Sequence, residues 1–285
     1  MFGEVDVIIV TYGGGDDLPA CVEAVRAQGN DIGRVIVVDN ASPDDTADRA
    51  AELDGVEVVR NSVNVGYAAA MNQAFASTGE PFLLSLNADC VLAPGYVGAC
   101  LATLRDDARL AAATGVLRLP DGRIDSSGLS LSGAFVATDR DRHAATPSTT
   151  EPFGVTGAAA VWRRAALDTV GSSPWWAWLF VYWDDTELCW RLRERGWRFA
   201  VATSATAVHR RGSDTAAPDF VEAQALRNRV ATVARHAGWK GILAPRSLAV
   251  TLWTVGRLAL RHPNALRRAR PLEALRAGLL ARRAP

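Results

Sequence analysis

Short apolar runs alternate with amphipathic segments through the first half of the chain. Val7–Val10 is continuously apolar and reads as a buried strand. Asp16 and Asp17 then offer an N-cap for a helix to about Gln28, which Gly29 stops. Arg34–Asp39 repeats the strand pattern. Ser42–Leu53 reads as a helix with Ser42 as cap and Pro43 at its first position. Val56–Val59 predicts a third strand, Ala68–Ser77 a helix and Phe82–Leu86 a fourth strand. Such alternation predicts an α/β fold: a mainly parallel central sheet with helices on both faces.

The pattern loosens after Leu119. Asp121-Gly122 marks a turn between short strands. Arg140–Pro152 is polar, with Pro and Thr, and reads as a mobile loop. Val155–Trp162 is small and apolar, and Arg163–Val170 is helix-like. Asp184–Arg195 predicts a helix ended by Gly196, Arg198–Val201 a strand, and Ala216–Ala237 a long helix. Leu and Arg then recur at helical spacing to the end. The expected division is residues 1–238 as one domain, with halves meeting near residue 119, and 239–285 as a helical extension.

Charge changes this picture at one end only. The net formal charge is zero, yet from Lys240 onward ten Lys/Arg face one acid, Glu273. The preceding 239 residues carry 21 bases against 30 acids. A basic tail on an acidic body suits an anionic partner. Cys21, Cys90, Cys100 and Cys189 form no CxxC pair, which favours a reducing compartment over disulfides or zinc. No signal-peptide pattern precedes Val5, and the apolar run Ser247–Gly256 is too short to span a bilayer.

In an open α/β sheet, ligands gather outside the carboxyl ends of the strands. Four such ends carry polar residues: Thr11-Tyr12, Asp39-Asn40, Asn61–Asn64 and Asn87-Ala88-Asp89. A single strand-end Asp more often caps the next helix; four polar ends together point to a site. Asp89, just past an apolar strand, suits a hard cation bound to phosphate, or a turn before Pro94. Asn64–Asn72 holds Gly66 and a run of alanines ahead of a helix, an anion-binding or a packing arrangement. Trp183-Asp184-Asp185 opens a helix beside Trp175, Trp176, Trp178 and Tyr182, where a carboxylate suits a general base for a sugar hydroxyl. Asp185 equally suits an N-cap, and the aromatics a core. His209, before Arg210-Arg211, is a structural residue or a metal ligand.

Taken in order, Val7–Tyr12, Val37–Ser42, Asn64–Asn72, Leu86–Asp89, Val155–Arg164, Asp184–Trp197 and His209 resemble family 2 glycosyltransferases, inverting enzymes with the GT-A fold. The resemblance runs from about Val5 to Asp214 and is strongest to bacterial rhamnosyltransferases of cell-wall and polysaccharide assembly; Trp183-Asp184-Asp185 also resembles galactofuranosyltransferases. It implies Thr11, Tyr12, Asp39, Asn64, Gly66, Asn72, Asn87 and Gly157 for the donor and its surroundings. It implies Asp89 and His209 for Mg²⁺ or Mn²⁺, Asp185 as base, and Asp184 and Trp183 for the acceptor. The implied partners are a nucleotide sugar, with dTDP-rhamnose the first choice, and a glycan or lipid-linked acceptor. No nucleic acid is expected, a homo-oligomer stays open, and the expected place is the cytoplasm or the inner membrane face. The family's DxD reads Asn87-Ala88-Asp89 here, one charge short, and its usual Glu-Asp pair reads Asp184-Asp185.

A dinucleotide oxidoreductase is the first competitor, because Gly13–Gly15 follows strand one and Asp39 ends strand two. GxGxxG fails, however, with Leu18 at the third glycine position. A non-catalytic glycan-binding scaffold is the second, and the joint presence of Asp89, Asp185 and His209 opposes it.

Overall fold

The computed structural model describes residues 3–211 and 216–282. Asp214, where the resemblance ends, and Arg283 of the basic tail lie outside the described residues. The first half is laid down as read: β1 (Val5–Thr11), α1 (Leu18–Arg26), β2 (Ile32–Asp39), α2 (Thr46–Ala51), β3 (Val56–Arg60), α3 (Tyr67–Phe75) and β4 (Phe82–Asn87). β3, β2, β1 and β4 lie side by side and parallel. Successive β1 residues serve opposite faces, as a strand's period of two requires. Val5, Val7 and Ile9 pack on the side of α1, and Ile8 on the side of α3.

Beyond β4 the sheet is mixed rather than mainly parallel. It continues through β5 (Cys90–Leu92), β6 (Leu110–Arg118), β7 (Ile124–Ser126), β10 (Ala159–Arg163) and β11 (Arg198–His209), with α4 (Tyr96–Asp106) packed on β11 and β6. β10 runs antiparallel between β4 and β6, and β11 runs parallel to β6. β8 (Leu129–Leu131) and β9 (Ala137–Asp139) make a separate hairpin. The sequence reading gave no element to residues 90–118. β6 begins Leu-Ala-Ala-Ala-Thr-Gly, a poor strand composition that holds because every residue to Leu117 is buried. At Gly115 a Cβ would lie 2.5 Å from the Ala205 carbonyl oxygen and 2.5 Å from the Tyr96 ring, so β6 and β11 meet only over a glycine.

Two local readings change. The helix expected from Ser42 starts at Thr46, because Ser42 is engaged elsewhere: its hydroxyl accepts the Gly13 N–H at 2.8 Å and its own N–H donates to Asp39 at 3.3 Å. Residues 140–152 are irregular but pinned. Asp141 accepts the Ser148 N–H at 2.7 Å, and Glu151 pairs with Arg193 and Arg198 at 2.9 and 2.7 Å.

The rest is helical: α5 (Arg164–Asp168), α6 (Asp184–Glu194), α7 (Pro218–Leu243, broken at Gly238), α8 (Pro245–Arg261), α9 (Pro263–Ala269) and α10 (Pro271–Ala281). The last four share their own apolar cluster around Leu226, Val230, Leu258 and Ala265. Each of α7 to α10 begins with proline, whose missing N–H costs nothing at a first turn. No described helix is long and apolar enough to cross a membrane.

Candidate active site

The carboxyl ends of β1 and β2 bring Thr11 and Asp39 together, hydroxyl to carboxylate, at 3.5 Å. Asn40, one residue on, ties the neighbouring loops. Its Oδ1 accepts the Asn61 amide and the Val65 N–H, both at 3.1 Å, and its Nδ2 donates to Asn64 Oδ1 at 2.9 Å. The same Asn64 oxygen accepts the Gly66 N–H at 2.9 Å. Tyr12 stands at the surface above this floor.

At the end of β4, Asp89 and His209 face each other, Oδ1 to Nε2, at 3.4 Å. The pairing of His209 with Cys90 across β11 and β5 sets that approach. Asp125 of β7 accepts from the other ring nitrogen at 2.8 Å, and Arg211 holds Asp125 at 2.7 Å and Asp139 at 2.6 Å. Burial would push the His209 ring down, but donating to Asp125 and Asp89 outweighs it and raises the ring to about 9. Burial would likewise push Asp125 up, and its bonds to His209 and Arg211 outweigh that and hold it low. A buried carboxylate and an imidazole whose far nitrogen is fixed by a second carboxylate suit a divalent metal. Among the described residues no three His, Cys, Asp or Glu form a group that could hold a metal ion.

The third corner is the mouth of α6. Leu188, Cys189 and Leu192 are buried along one face, and Asp185 is left part-exposed at the open end. Its Oδ2 accepts the Gly157 N–H at 3.3 Å and its Oδ1 the Thr186 N–H at 2.6 Å. Burial pushes the Asp185 carboxyl up, and these N–H groups partly offset it. Asp184 is only 6% exposed, and burial with the adjacent Asp185 charge pushes it up to about 8. The buried Tyr67 hydroxyl has no hydrogen-bond partner among the described residues, and burial and both carboxylates push its phenol well up. It lies 3.5 Å from where a Gly157 Cβ would be. Gly157 and Ala158 join this corner to the last: Gly157 binds the Asp185 carboxylate, and the Ala158 carbonyl accepts the Asn87 N–H at 2.9 Å.

Several sequence-read residues have different tasks. Asn72 spends both ends of its amide on the Trp175 backbone, donating at 2.7 Å and accepting at 2.9 Å, and so braces the loop before α6. The first turn of α3 is closed to an anion at Ala68, whose N–H donates to the Phe180 carbonyl at 3.1 Å. Gly66 makes that contact possible: at φ +87° its missing Cβ would fall 2.5 Å from the Phe180 ring. Trp175 packs edge-on against Phe75 and Trp162, and Trp176 stacks on Trp178 over the C-terminal helices, so these aromatics are core. Asp184 is buried rather than presented outward; Trp183 is half-buried beside it. The reading missed Tyr67 and Asp125. Asp125 is an acid three residues past a turn, and only the pairing of β7 with β6 carries it to His209.

The backbone ahead of α6 is strained. Phe180 (φ 67°, ψ −70°), Tyr182 (φ 65°) and Trp183 (φ 67°) all have left-handed φ without being glycine. Each such residue costs about 1–3 kcal/mol, and such costs collect at functional sites.

The chain is similar to several known glycosyltransferases. N-acetylglucosaminyl-diphospho-decaprenol L-rhamnosyltransferase of Mycobacterium tuberculosis, in strains CDC 1551 / Oshkosh and H37Rv, is 26% identical over 299 residues, spanning 93% of this chain and 94% of the relative. The fold is shared with the mannosyltransferase PcManGT from Pyrobaculum calidifontis, solved with GDP-Man and Mn²⁺ (TM-score 0.61, 19% identity, 99% of this chain and 86% of that one). It is shared with GalNAc-T7, solved with UDP, GalNAc and Mn²⁺ (TM-score 0.60, 15% identity, 82% and 48%). Glucosyl-3-phosphoglycerate synthase from Mycobacterium tuberculosis gives 0.56 at 14% identity over 83% and 80%. The description "Glycosyl transferase family 2" matches residues 6–171, more than half the chain. The chain belongs to that family and is a glycosyltransferase with a GT-A-type fold.

Proposed function

We propose that the enzyme transfers rhamnose, with inversion, from dTDP-rhamnose to a lipid-linked N-acetylglucosaminyl diphosphate in cell-wall synthesis at the cytoplasmic membrane face. The near full-length similarity to the mycobacterial rhamnosyltransferase supports this choice of substrates. One observation carries the reaction class: adjacent residues Gly157 and Ala158 hold the Asp185 carboxylate and the Asn87–Asp89 turn in one frame. Asp185 would take the acceptor hydroxyl proton as that oxygen attacks the anomeric carbon opposite the diphosphate. Thr11, Tyr12 and Asp39 would hold the nucleoside, and Trp183 would face the acceptor. Asp89 and His209 would hold Mg²⁺ or Mn²⁺, which supplies the positive charge that neutralises the departing diphosphate. A panel of dTDP-rhamnose, UDP-galactofuranose, UDP-glucose, UDP-GlcNAc and GDP-mannose, read by nucleoside diphosphate release, tests the donor. Asp185→Asn should lose ~10²–10⁴ in kcat. Near-normal turnover would remove Asp185 from the role.

The acceptor's lipid implies a way to reach the bilayer, and α8 has the surface for it. Its outward face reads Ala249, Leu252, Trp253, Gly256, Ala259, Leu260, with Leu252 61%, Trp253 64% and Leu260 88% exposed. Its inward face carries Ser247 and Thr251, both bonded to Arg229. The helix buries Leu258 yet leaves an apolar stripe to solvent, has no acid, ends in Arg261 and is followed by Arg267 and Arg268. That chemistry fits an anionic lipid surface, where each basic residue gains ~1 kcal/mol. Sedimentation with vesicles of phosphatidylglycerol and phosphatidylcholine tests it on Leu252→Glu/Trp253→Glu/Leu260→Glu. Binding that needs phosphatidylglycerol and is lost in the variant is expected. Equal binding by both proteins, or a wild-type dimer that the variant breaks, would overturn it.

A further inference from the structure

α7 lies beyond the residues matched by the family description, yet one of its faces grips the segment that leads into Asp184 and Asp185. Asn228 is fully buried, and its Nδ2 donates to three carbonyls, those of Leu179, Val181 and Tyr182, each at 2.8 Å. Gln224, one turn earlier on the same face, donates to the Leu179 carbonyl at 2.7 Å. Arg227 fixes which way the Asn228 amide points: its guanidinium donates to Asn228 Oδ1 at 3.0 Å and to the Trp178 carbonyl at 3.1 Å.

These carbonyls belong to the strained turn. Val181 N–H donates to the Leu179 carbonyl at 2.8 Å across Phe180, a tight three-residue turn of the disfavoured hand. Tyr182 and Trp183 follow, also left-handed, and Asp184 begins the helix. A turn this unfavourable persists only where its surroundings over-determine it. A primary amide with two hydrogens shared among three inward carbonyls does so, where a hydrophobic side chain at 228 would take a donor from all three and leave Leu179 only Gln224 and the Val181 N–H.

We propose that Asn228, assisted by Gln224, is a positioning residue for glycosyl transfer, holding residues 179–182 so that the Asp185 carboxylate points at the acceptor hydroxyl. Its carboxamide touches no substrate; it acts through the aim of α6. The proposal rests on Asp185 being the base, and a double-mutant cycle separates the two ideas. Asn228→Ala, Asp185→Asn and the double variant are compared with wild type, using whichever donor of the panel wild type turns over. Displacement of a catalytic group by about 1 Å costs on the order of 10² in rate. Asn228→Ala should therefore lower kcat 10- to 100-fold per folded molecule. Its KM for the donor and its affinity for the nucleoside diphosphate with Mn²⁺ should stay within twofold, because the turn meets the Gly66–Ala68 backbone and not Thr11, Asp39, Asp89 or His209. In the Asp185→Asn background the same change should add little. Gln224→Ala removes one contact and should lose several-fold, which keeps the test open if Asn228→Ala does not fold. An unchanged kcat per folded molecule in either variant, or a loss that recurs in full on Asp185→Asn, would overturn the positioning role. Full activity of Asp185→Asn itself would instead overturn the base.

Discussion

Asp184→Asn should make the protein more stable, by an amount that grows with pH. Asp184 is buried beside Asp185 at the first turn of α6, and its carboxyl stands at about 8 against an ordinary 3.8. The folded state therefore keeps a proton that the unfolded chain releases. A group raised on folding adds stability below its unfolded value, and that stability drains away as pH climbs towards the folded value. Between pH 4 and 8 the limiting slope is roughly 1.4 kcal/mol per pH unit. Integrated from 3.8 to pH 7 it reaches about 4 kcal/mol, an upper bound, since water entry and the shared charge with Asp185 reduce it. A gain of about 1–3 kcal/mol at pH 7 is expected for the asparagine, which resembles the protonated acid and carries no charge to bury. That corresponds to roughly 3–10 °C in Tm for a chain of this size. Thermal melting of both proteins from pH 5 to 9 measures it. The curves should lie closest at pH 5 and separate steadily upward. A constant gap, or a wild type that gains on the variant as pH rises, would refute the reasoning.

Other perturbations have equally definite expected outcomes. Asp125→Asn should weaken Mn²⁺-dependent binding of the nucleoside diphosphate about 10- to 100-fold while metal-free nucleoside binding is kept, as calorimetry can show. Gly66→Ala should cost about 2–4 kcal/mol in denaturant unfolding, since φ +87° and a Cβ 2.5 Å from Phe180 both oppose it. Tyr67→Phe removes a buried hydroxyl that bonds to none of the described residues and should leave unfolding free energy unchanged or raise it by about 1 kcal/mol.

How much of this was legible in the sequence depends on the range of the interaction. β1, β2 and β4 are written in local apolar runs, and their polar ends lead directly to Thr11, Asp39 and Asp89. α6 is equally plain, with its acids at the mouth and its apolar stripe behind. What stayed hidden is set by tertiary contact. β6 has the composition of a helix and becomes a strand because neighbours bury it. Nothing local to Asn72 announces its bonds to the Trp175 backbone, 103 positions away. Asp125 and Asn228 have no local signature, since their partners lie 84 and 46 to 49 residues distant. The tail leucines also divided in a way their spacing did not reveal: Leu258 is buried, while Leu252 and Leu260 face outward.

The tail is better probed by surface substitution than by removal, and the packing of α7 explains why. One face of α7 holds the turn before the base through Gln224 and Asn228. Arg235 and His236 meet the fully buried Glu187 of α6, at 2.9 and 3.5 Å. α10 packs on α7 so closely that a Cβ on Gly278 would fall 2.2 Å from the Ala231 carbonyl oxygen. A chain stopped after Gly238 would therefore uncover the fully buried Ala231 and Ala234. It would loosen the helix that positions the catalytic segment, so loss of activity and loss of membrane binding would arrive together and mean little. Leu252→Glu and Leu260→Glu alter side chains that stand mostly in water, whereas Trp253→Glu also gives up the Arg257 guanidinium over its ring at 4.8 Å. The Leu252→Glu/Leu260→Glu pair leaves α10 packed on α7, and a change in its vesicle binding reports on the surface of α8.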